Sequence, residues 1–269
     1  MSRATDSAAM RRDWDERARK NAFYYIASWD ESWDLESFFK SGETDYESLA
    51  EPALAALGFA PAGKNMLEIG CGVGRMTRAF AARFERVYAL DISSEMLRRG
   101  QSLHETTSNI VWVQGDGSGL SMFEDCCLDF VFSYIVLQHL PTKHLVLNYV
   151  REILRVLRPG GAFHLQFNSR REPTMNWKGR LAWGVLDRLR NPISRFNLGK
   201  VSYRLASLIG LDPLAAGYTW RGAVVDLSEV SETIHRSGGM IVGVNGEGTR
   251  MTWCFGRKSG LVCAGIQRE

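Results

Sequence analysis

Three carboxylates and one imidazole stand where they could do chemistry. Glu68 lies two residues before the glycine run Gly70-Cys71-Gly72-Val73-Gly74. Asp91 closes an apolar run about 20 residues later, and Asp116 sits between Gly115 and Gly117 after another. In a doubly wound fold, the acid about 20 residues past the glycine turn is the one that binds ribose hydroxyls. His139 follows a fourth apolar run. An imidazole titrates near neutrality and suits removal of a proton from an alcohol, phenol or amine. His104, His144, His164 and His235 fall in predicted helices or a strand, and no His/Asp/Glu cluster has metal-ligand spacing.

The elements that position these groups are legible around the glycines. Met66, Leu67 and Ile69 predict a strand bounded by Gly63 and Gly70. Glycine admits positive φ and, lacking a Cβ, lets a ligand approach the backbone. Thr77 to Phe84 predicts a helix with Ala79, Phe80 and Phe84 on its apolar face. A strand entering a helix through glycines leaves backbone N–H groups free beside a ligand. The spacing is G-x-G-x-G. Arg75 stands where the last glycine of G-x-G-x-x-G would be, which disfavours a nicotinamide enzyme. Further strands are predicted at 86–90, 110–114, 128–134 and 162–167. Ser93 or Ser94 caps the helix after Asp91.

Taken in order, Glu68 with its glycines, Asp91-Ile92-Ser93 with Met96-Leu97, and Leu154-Arg155-Val156-Leu157-Arg158-Pro159-Gly160-Gly161 resemble the class I S-adenosylmethionine-dependent methyltransferases over 65–167. The resemblance implies an α/β, Rossmann-like, doubly wound seven-stranded sheet with an antiparallel last strand. It implies S-adenosyl-L-methionine as cofactor. Glu68, Gly70, Cys71, Gly72, Gly74 and Arg75 would surround its methionine part, Asp91 its ribose, and Asp116 and Gly117 its adenine. Ile92 and Met96 count with that set, and Ser133 and Tyr134 would line the pocket floor. His139 would be the base, paired with Tyr24 or Tyr25 of an N-terminal lid; otherwise it packs a turn. The acceptor would be a small molecule methylated on oxygen or nitrogen. An RNA or protein modifier is weighed against by the lack of an appended RNA-binding domain and of an Asn/Asp-Pro-Pro-Tyr-type motif. Intact cofactor motifs weigh against a non-catalytic relative.

At 269 residues and 45% hydrophobic, the chain can bury one domain plus an accessory element. A net charge of +3 does not by itself argue for nucleic acid. Five cysteines without C-x-x-C spacing suggest neither zinc nor a disulfide framework. With no signal-peptide core and no apolar run of roughly 18 residues, a cytoplasmic protein without a membrane span is expected. Residues 1 to 10 are expected to be disordered, and 10–27 helical. The aromatic residues Tyr24, Tyr25, Trp29, Trp33, Phe38 and Phe39 either staple a helix pair onto the domain or form a lid. Ser41 to Asp45 predicts a turn, and Tyr46 to Leu57 a helix kinked or restarted at Pro52.

Residues 1–52 thus form the expected lid and 53–269 the methyltransferase domain, with a basic helical insertion over 168–215. Nine basic residues face three acidic ones between Asn168 and Asp212. That surplus is a solvated face, a cover for an anionic substrate, or a contact through 178–209 with an anionic membrane surface or partner. Trp220, Arg221 and Gly222 are placed on the substrate side. A helix over 227–237 and a hairpin of 240–244 with 251–257 close the chain. The oligomeric state stays open.

Overall fold

In the computed structural model, which describes residues 3–28, 30, 32–170 and 222–260, the apolar runs pair into one seven-stranded sheet. Its strands are β1 (Asn65–Ile69), β2 (Arg86–Asp91), β3 (Ile110–Gln114), β4 (Leu128–Ser133), β5 (Leu157–Phe167), β6 (Gly239–Asn245) and β7 (Thr252–Lys258). Their order is β3-β2-β1-β4-β5-β7-β6. The first five run parallel, and β7 lies antiparallel between β5 and β6. Every residue of β4 is buried, as befits a central parallel strand covered on both faces, and its sequence is accordingly almost continuously apolar.

Side-chain alternation along the strands divides the core in two. Leu67, Ile69, Val131 and Leu165 pack under α6 (Lys143–Val156) and α7 (Leu227–Arg236). Met66, Val87, Ala89, Phe130 and Phe132 pack under α4 (Thr77–Ala81) and the helices that precede β1. Glu68 shares the parity of Met66, and its carboxylate meets Thr77 at the start of α4. Asp129 accepts the Asn65 N–H at 2.9 Å and Arg158 Nη1 at 2.7 Å. One carboxylate therefore ties the start of β1 to the Arg-Pro-Gly-Gly entry of β5.

The N-terminal helices depart from expectation. α1 (Arg3–Ile26) starts well before Met10 and bends at Asn21, whose Oδ1 accepts the Tyr24 N–H at 3.1 Å. Met10 is buried beside Gly117 and so anchors a stretch expected to be disordered. α2 (Leu35–Asp45), a π-helical turn (Tyr46–Ala50) and α3 (Glu51–Ala56) follow without a break, so the turn expected at 41–45 is helical. Gly42 is needed there for close approach: a Cβ would lie 2.1 Å from the carbonyl oxygen of Arg75. The wide turn answers Pro52, which supplies no N–H; the Glu51 N–H instead reaches back five residues to the Tyr46 carbonyl. The boundary expected between 52 and 53 falls inside this run.

α5 (Ser94–Leu103) is capped by Ser93, whose Oγ accepts the Met96 N–H at 3.1 Å. Cys126 is disulfide-bonded, contrary to expectation, while Cys71, Cys127 and Cys254 are free thiols. No described helix is long and apolar enough to cross a membrane. The basic insertion from residue 171 onward, Trp29, Trp220 and Arg221 lie outside the described residues. The insertion's flanks are tied to the sheet edge: Val225 N–H donates to Asn168 O at 3.0 Å, and Ala223 N–H to Leu140 O at 2.8 Å.

Replacing Gly42 with Ala should destabilise the protein by about 1–3 kcal/mol, because α2 cannot retreat from the Arg75 backbone without losing its packing. Urea unfolding measures this, and an unchanged midpoint would show that the contact is not that close.

Candidate functional site

A cavity of about 330 Å³ opens at the carboxyl ends of the parallel strands. It sits where the strand order reverses, between β1 and β4, the place where open α/β sheets bind ligands. Of the residues singled out from sequence, Glu68, Gly70, Cys71, Gly72, Arg75, Asp91, Ile92, Gly117, Tyr134, His139 and Tyr25 line it.

The glycine loop is held against β2. The N–H groups of Gly70 and Cys71 both donate to the Leu90 carbonyl, at 2.7 and 3.0 Å. The Gly72 N–H donates to Asp91 Oδ2 at 2.9 Å, and the Ser93 N–H to Asp91 Oδ1 at 2.8 Å. Gly70 and Gly72 have φ of 74° and 57°, the left-handed region that favours glycine. Each Asp91 oxygen keeps a second lone pair for a ligand.

Glu68 is buried and Asp91 partly buried, both without enough compensation. Burial pushes Asp91 up to about 6, against the pull of the Ser93 and Gly72 N–H groups. Burial pushes Glu68 up to about 7, although Thr77 Oγ1 donates to it at 2.5 Å and Arg75 lies near. A ligand bringing hydroxyl donors and a positive charge would relieve both. Arg75 is only 4% exposed and bridges away from the cavity. Its Nη2 pairs with Asp45 at 2.6 Å, and its Nη1 donates to Ser41 Oγ at 3.2 Å.

Five expected site residues do not line the cavity. Gly74 packs on His104 and Trp112, which a Cβ would meet at 2.6 and 2.8 Å. Met96 is buried among Phe38, Phe39 and Val73. Asp116 is exposed and turned onto its own loop, accepting Ser118 N–H at 2.8 Å and Ser118 Oγ at 2.7 Å. Ser133 is fully buried in β4. Tyr24 stands edge-on to Tyr25, ring centres 5.1 Å apart, and only Tyr25 reaches the cavity.

His139 ends a short 3₁₀ turn (Leu137–His139) after β4 and lines the cavity beside Gln138. Trp14 of α1 meets its ring edge-on at 5.6 Å. Gln166 Nε2 donates to Gln138 Oε1 at 3.0 Å, which turns the Gln138 amide nitrogen toward His139 Nε2 at 3.3 Å. An amide NH₂ can only donate, so His139 Nε2 accepts and the ring is the neutral Nδ1–H tautomer. Trp14, Gln138, Tyr149, Asn168 and Arg250 also line the cavity, and none of them carries a sequence motif. Trp14 and Tyr149 lie on helices and Arg250 just before β7, positions that local spacing does not mark as functional.

Residues 67–165 match the family described as methyltransferase domain. The malonyl-[acyl-carrier protein] O-methyltransferase of Erwinia billingiae is 31% identical over 150 residues, 56% of this chain and 55% of that protein. The 2-methyl-6-phytyl-1,4-hydroquinone methyltransferase of Synechocystis is 28% identical over 137 residues, 49% of this chain and 42% of that one. The chain thus spans about half the length of these curated relatives. Among solved structures, magnesium protoporphyrin IX methyltransferase from Synechocystis, with bound SAH, shares the fold with a TM-score of 0.59 at 18% identity, covering 94% of this chain and all of that one. Haemonchus contortus phosphoethanolamine N-methyltransferase 1 gives 0.56 at 16% identity, over 98% of this chain and 51% of that one. Residues 67–165 thus match a methyltransferase domain, and the chain shares its fold with these solved methyltransferases.

Proposed function

We propose that this protein transfers a methyl group from S-adenosylmethionine to an oxygen or nitrogen of a small-molecule acceptor. The observation that carries this reading is the pair of undercompensated carboxylates, Glu68 buried and Asp91 partly buried, beside a glycine loop at the switch point of the sheet. Asp91 would receive the ribose hydroxyls, and Glu68 with the loop from Gly70 the methionine end. The adenine would lie toward Gly117, Met10 and Tyr149, with Asp116 at the rim. When bound, the cofactor supplies a methyl carbon already activated on a sulfonium. The chain's own task is orientation, which can supply most of the acceleration. The cavity size fits a small ligand, and α1 covers it with Met10, Trp14 and Ile26. The acceptor atom stays at oxygen or nitrogen because the relatives' names include both kinds of methyltransferase.

His139 Nε2 is the proton acceptor in this reading, held by Gln138 and met edge-on by Trp14. A positioned general base adds about 10²–10⁴-fold.

Three measurements test this. Asp91→Ala should weaken cofactor binding in calorimetry by about tenfold or more, as loss of hydrogen bonds to a charged group does; equal affinity would remove Asp91 from the site. His139→Ala should lower kcat by about 10² with cofactor affinity unchanged, and an unaltered kcat would end its role as base.

The third uses pH. Glu68 sits at about 7 in the fold against an ordinary 4.5. Between those values the folded chain holds a proton that the unfolded chain has released, so its contribution to stability falls as pH rises through that window. Without cofactor, Glu68→Gln should therefore flatten the decline of unfolding free energy between about pH 5 and 7. Parallel slopes in the two proteins would refute the assigned burial penalty.

A further inference from the structure

The cavity is electrically lopsided. Glu68 and Asp91 lie at the ends of β1 and β2, and the cationic side chains among its described lining residues are Arg75 and Arg250. Arg75 is committed to Asp45. Arg250, just before β7, is exposed, and its guanidinium makes no ion pair or hydrogen bond with a described residue. Its backbone is fixed: Gln166 Nε2 donates to the Arg250 carbonyl at 2.6 Å, while Gln166 Oε1 accepts the Ile135 N–H at 2.9 Å. Gln166 is itself fully buried.

Asn168, one residue past β5, is 6% exposed and also lines the cavity. Its Oδ1 accepts the Arg170 N–H at 3.0 Å, and its Nδ2 donors have no partner among the described residues. Among the described residues, the side-chain donors left over at this end are a guanidinium and an amide NH₂. Two such donors, one of them charged, match an acceptor-rich anion.

We infer that the methyl acceptor carries a carboxylate or phosphate group, bound by Arg250 and Asn168 at the β5–β7 side of the cavity. The inference rests on the methyltransferase reading above. Sheet order gives it a length scale. Asp91 on β2 and Arg250 before β7 are four strand steps apart, roughly 19 Å at about 4.8 Å per step. The anion therefore sits far from the two acids. Asn168 follows the strand next to the one that leads to His139. The methylated atom, near His139, then lies only a few bonds from the anionic group, and the acceptor is a small acid.

The test uses the full chain, labelled methyl donor and a metabolite extract separated on an anion exchanger. Label should enter the retained, water-soluble fraction. Phosphatase treatment of that fraction distinguishes a phosphate from a carboxylate, and solvent partition distinguishes a soluble acid from a lipid headgroup. Arg250→Gln should raise the KM for the retained acceptor by about tenfold or more, Arg250→Lys should recover part of it, and calorimetric cofactor affinity should stay the same in both. Cofactor binding with label only in the unretained fraction, or an unchanged KM in Arg250→Gln, overturns this inference while leaving the methyltransferase reading intact. Absence of cofactor binding in the unmodified chain overturns both.

Discussion

The Asp91 carboxylate takes the N–H of Gly72 on one oxygen and the N–H of Ser93 on the other, and the site is assembled around those two bonds. Ser93 Oγ passes the connection on to Asp15 of α1 at 2.6 Å, and the Glu95 N–H reaches the same Asp15 oxygen at 3.1 Å. Glycine loop, β2, the start of α5 and α1 are therefore joined through one partly buried acid. The arrangement is costly when empty of cations. Burial disfavours the charged form, and Asp15 adds like charge. Such a site is stable enough to fold because the loop amides offset part of the cost, and it gains most from a ligand that brings donors and positive charge.

The glycines act on the covering helices as well as on the backbone. A Cβ at Gly72 would lie 2.6 Å from Ile26 of α1, and one at Gly117 2.8 Å from Met10. The loop and its neighbour are thus approached by protein from above at the same residues that keep the backbone open. Phe38 and Phe39 of α2 join Ala18 and Ala22 of α1 and Val73 of the loop in one cluster. The N-terminal aromatics divide between two surroundings. Phe38 and Phe39 staple the helices down, while Tyr25, with Trp14, faces the cavity.

The strands and the acids at their ends were legible because each apolar run is punctuated by glycine or a carboxylate, and local spacing alone carries that signal. What sequence did not show is mostly non-local. Arg75 looked like a ligand contact because it follows the glycines, yet its charge is spent on Asp45, thirty positions earlier in the chain. Asp116 has the position of a base-reading acid, but Ser118 two residues on captures its carboxylate. Ser41-Gly42-Glu43-Thr44-Asp45 has turn composition, and tertiary packing of α2 on the loop overrides that propensity. Asn168 and Arg250 become neighbours only because β7 inserts between β5 and β6, a pairing no local pattern encodes.

The Gln166–Gln138–His139 series shows how the sheet interior can set chemistry at its edge. A primary amide has one donor end and one acceptor end. Gln166 occupies the acceptor end of Gln138, so the Gln138 amide cannot flip without leaving one of the two buried Gln166 N–H groups unpaired. Its NH₂ is thereby directed at His139 Nε2, and the ring proton is kept on Nδ1. The lone pair that a base needs is thus already on the atom facing the Gln138 side of the cavity before any acceptor arrives. If His139 is the base proposed above, an incoming hydroxyl or amine would need only displace one neutral donor from that lone pair, a smaller rearrangement than a change of tautomer. With the acceptor's proton on Nε2, Gln138 would face it with a donor, and the amide would have to turn or withdraw. Gln166, fixed in β5 by its bonds to Ile135 and Arg250, would couple that movement to the hairpin end where the anionic group is proposed to bind.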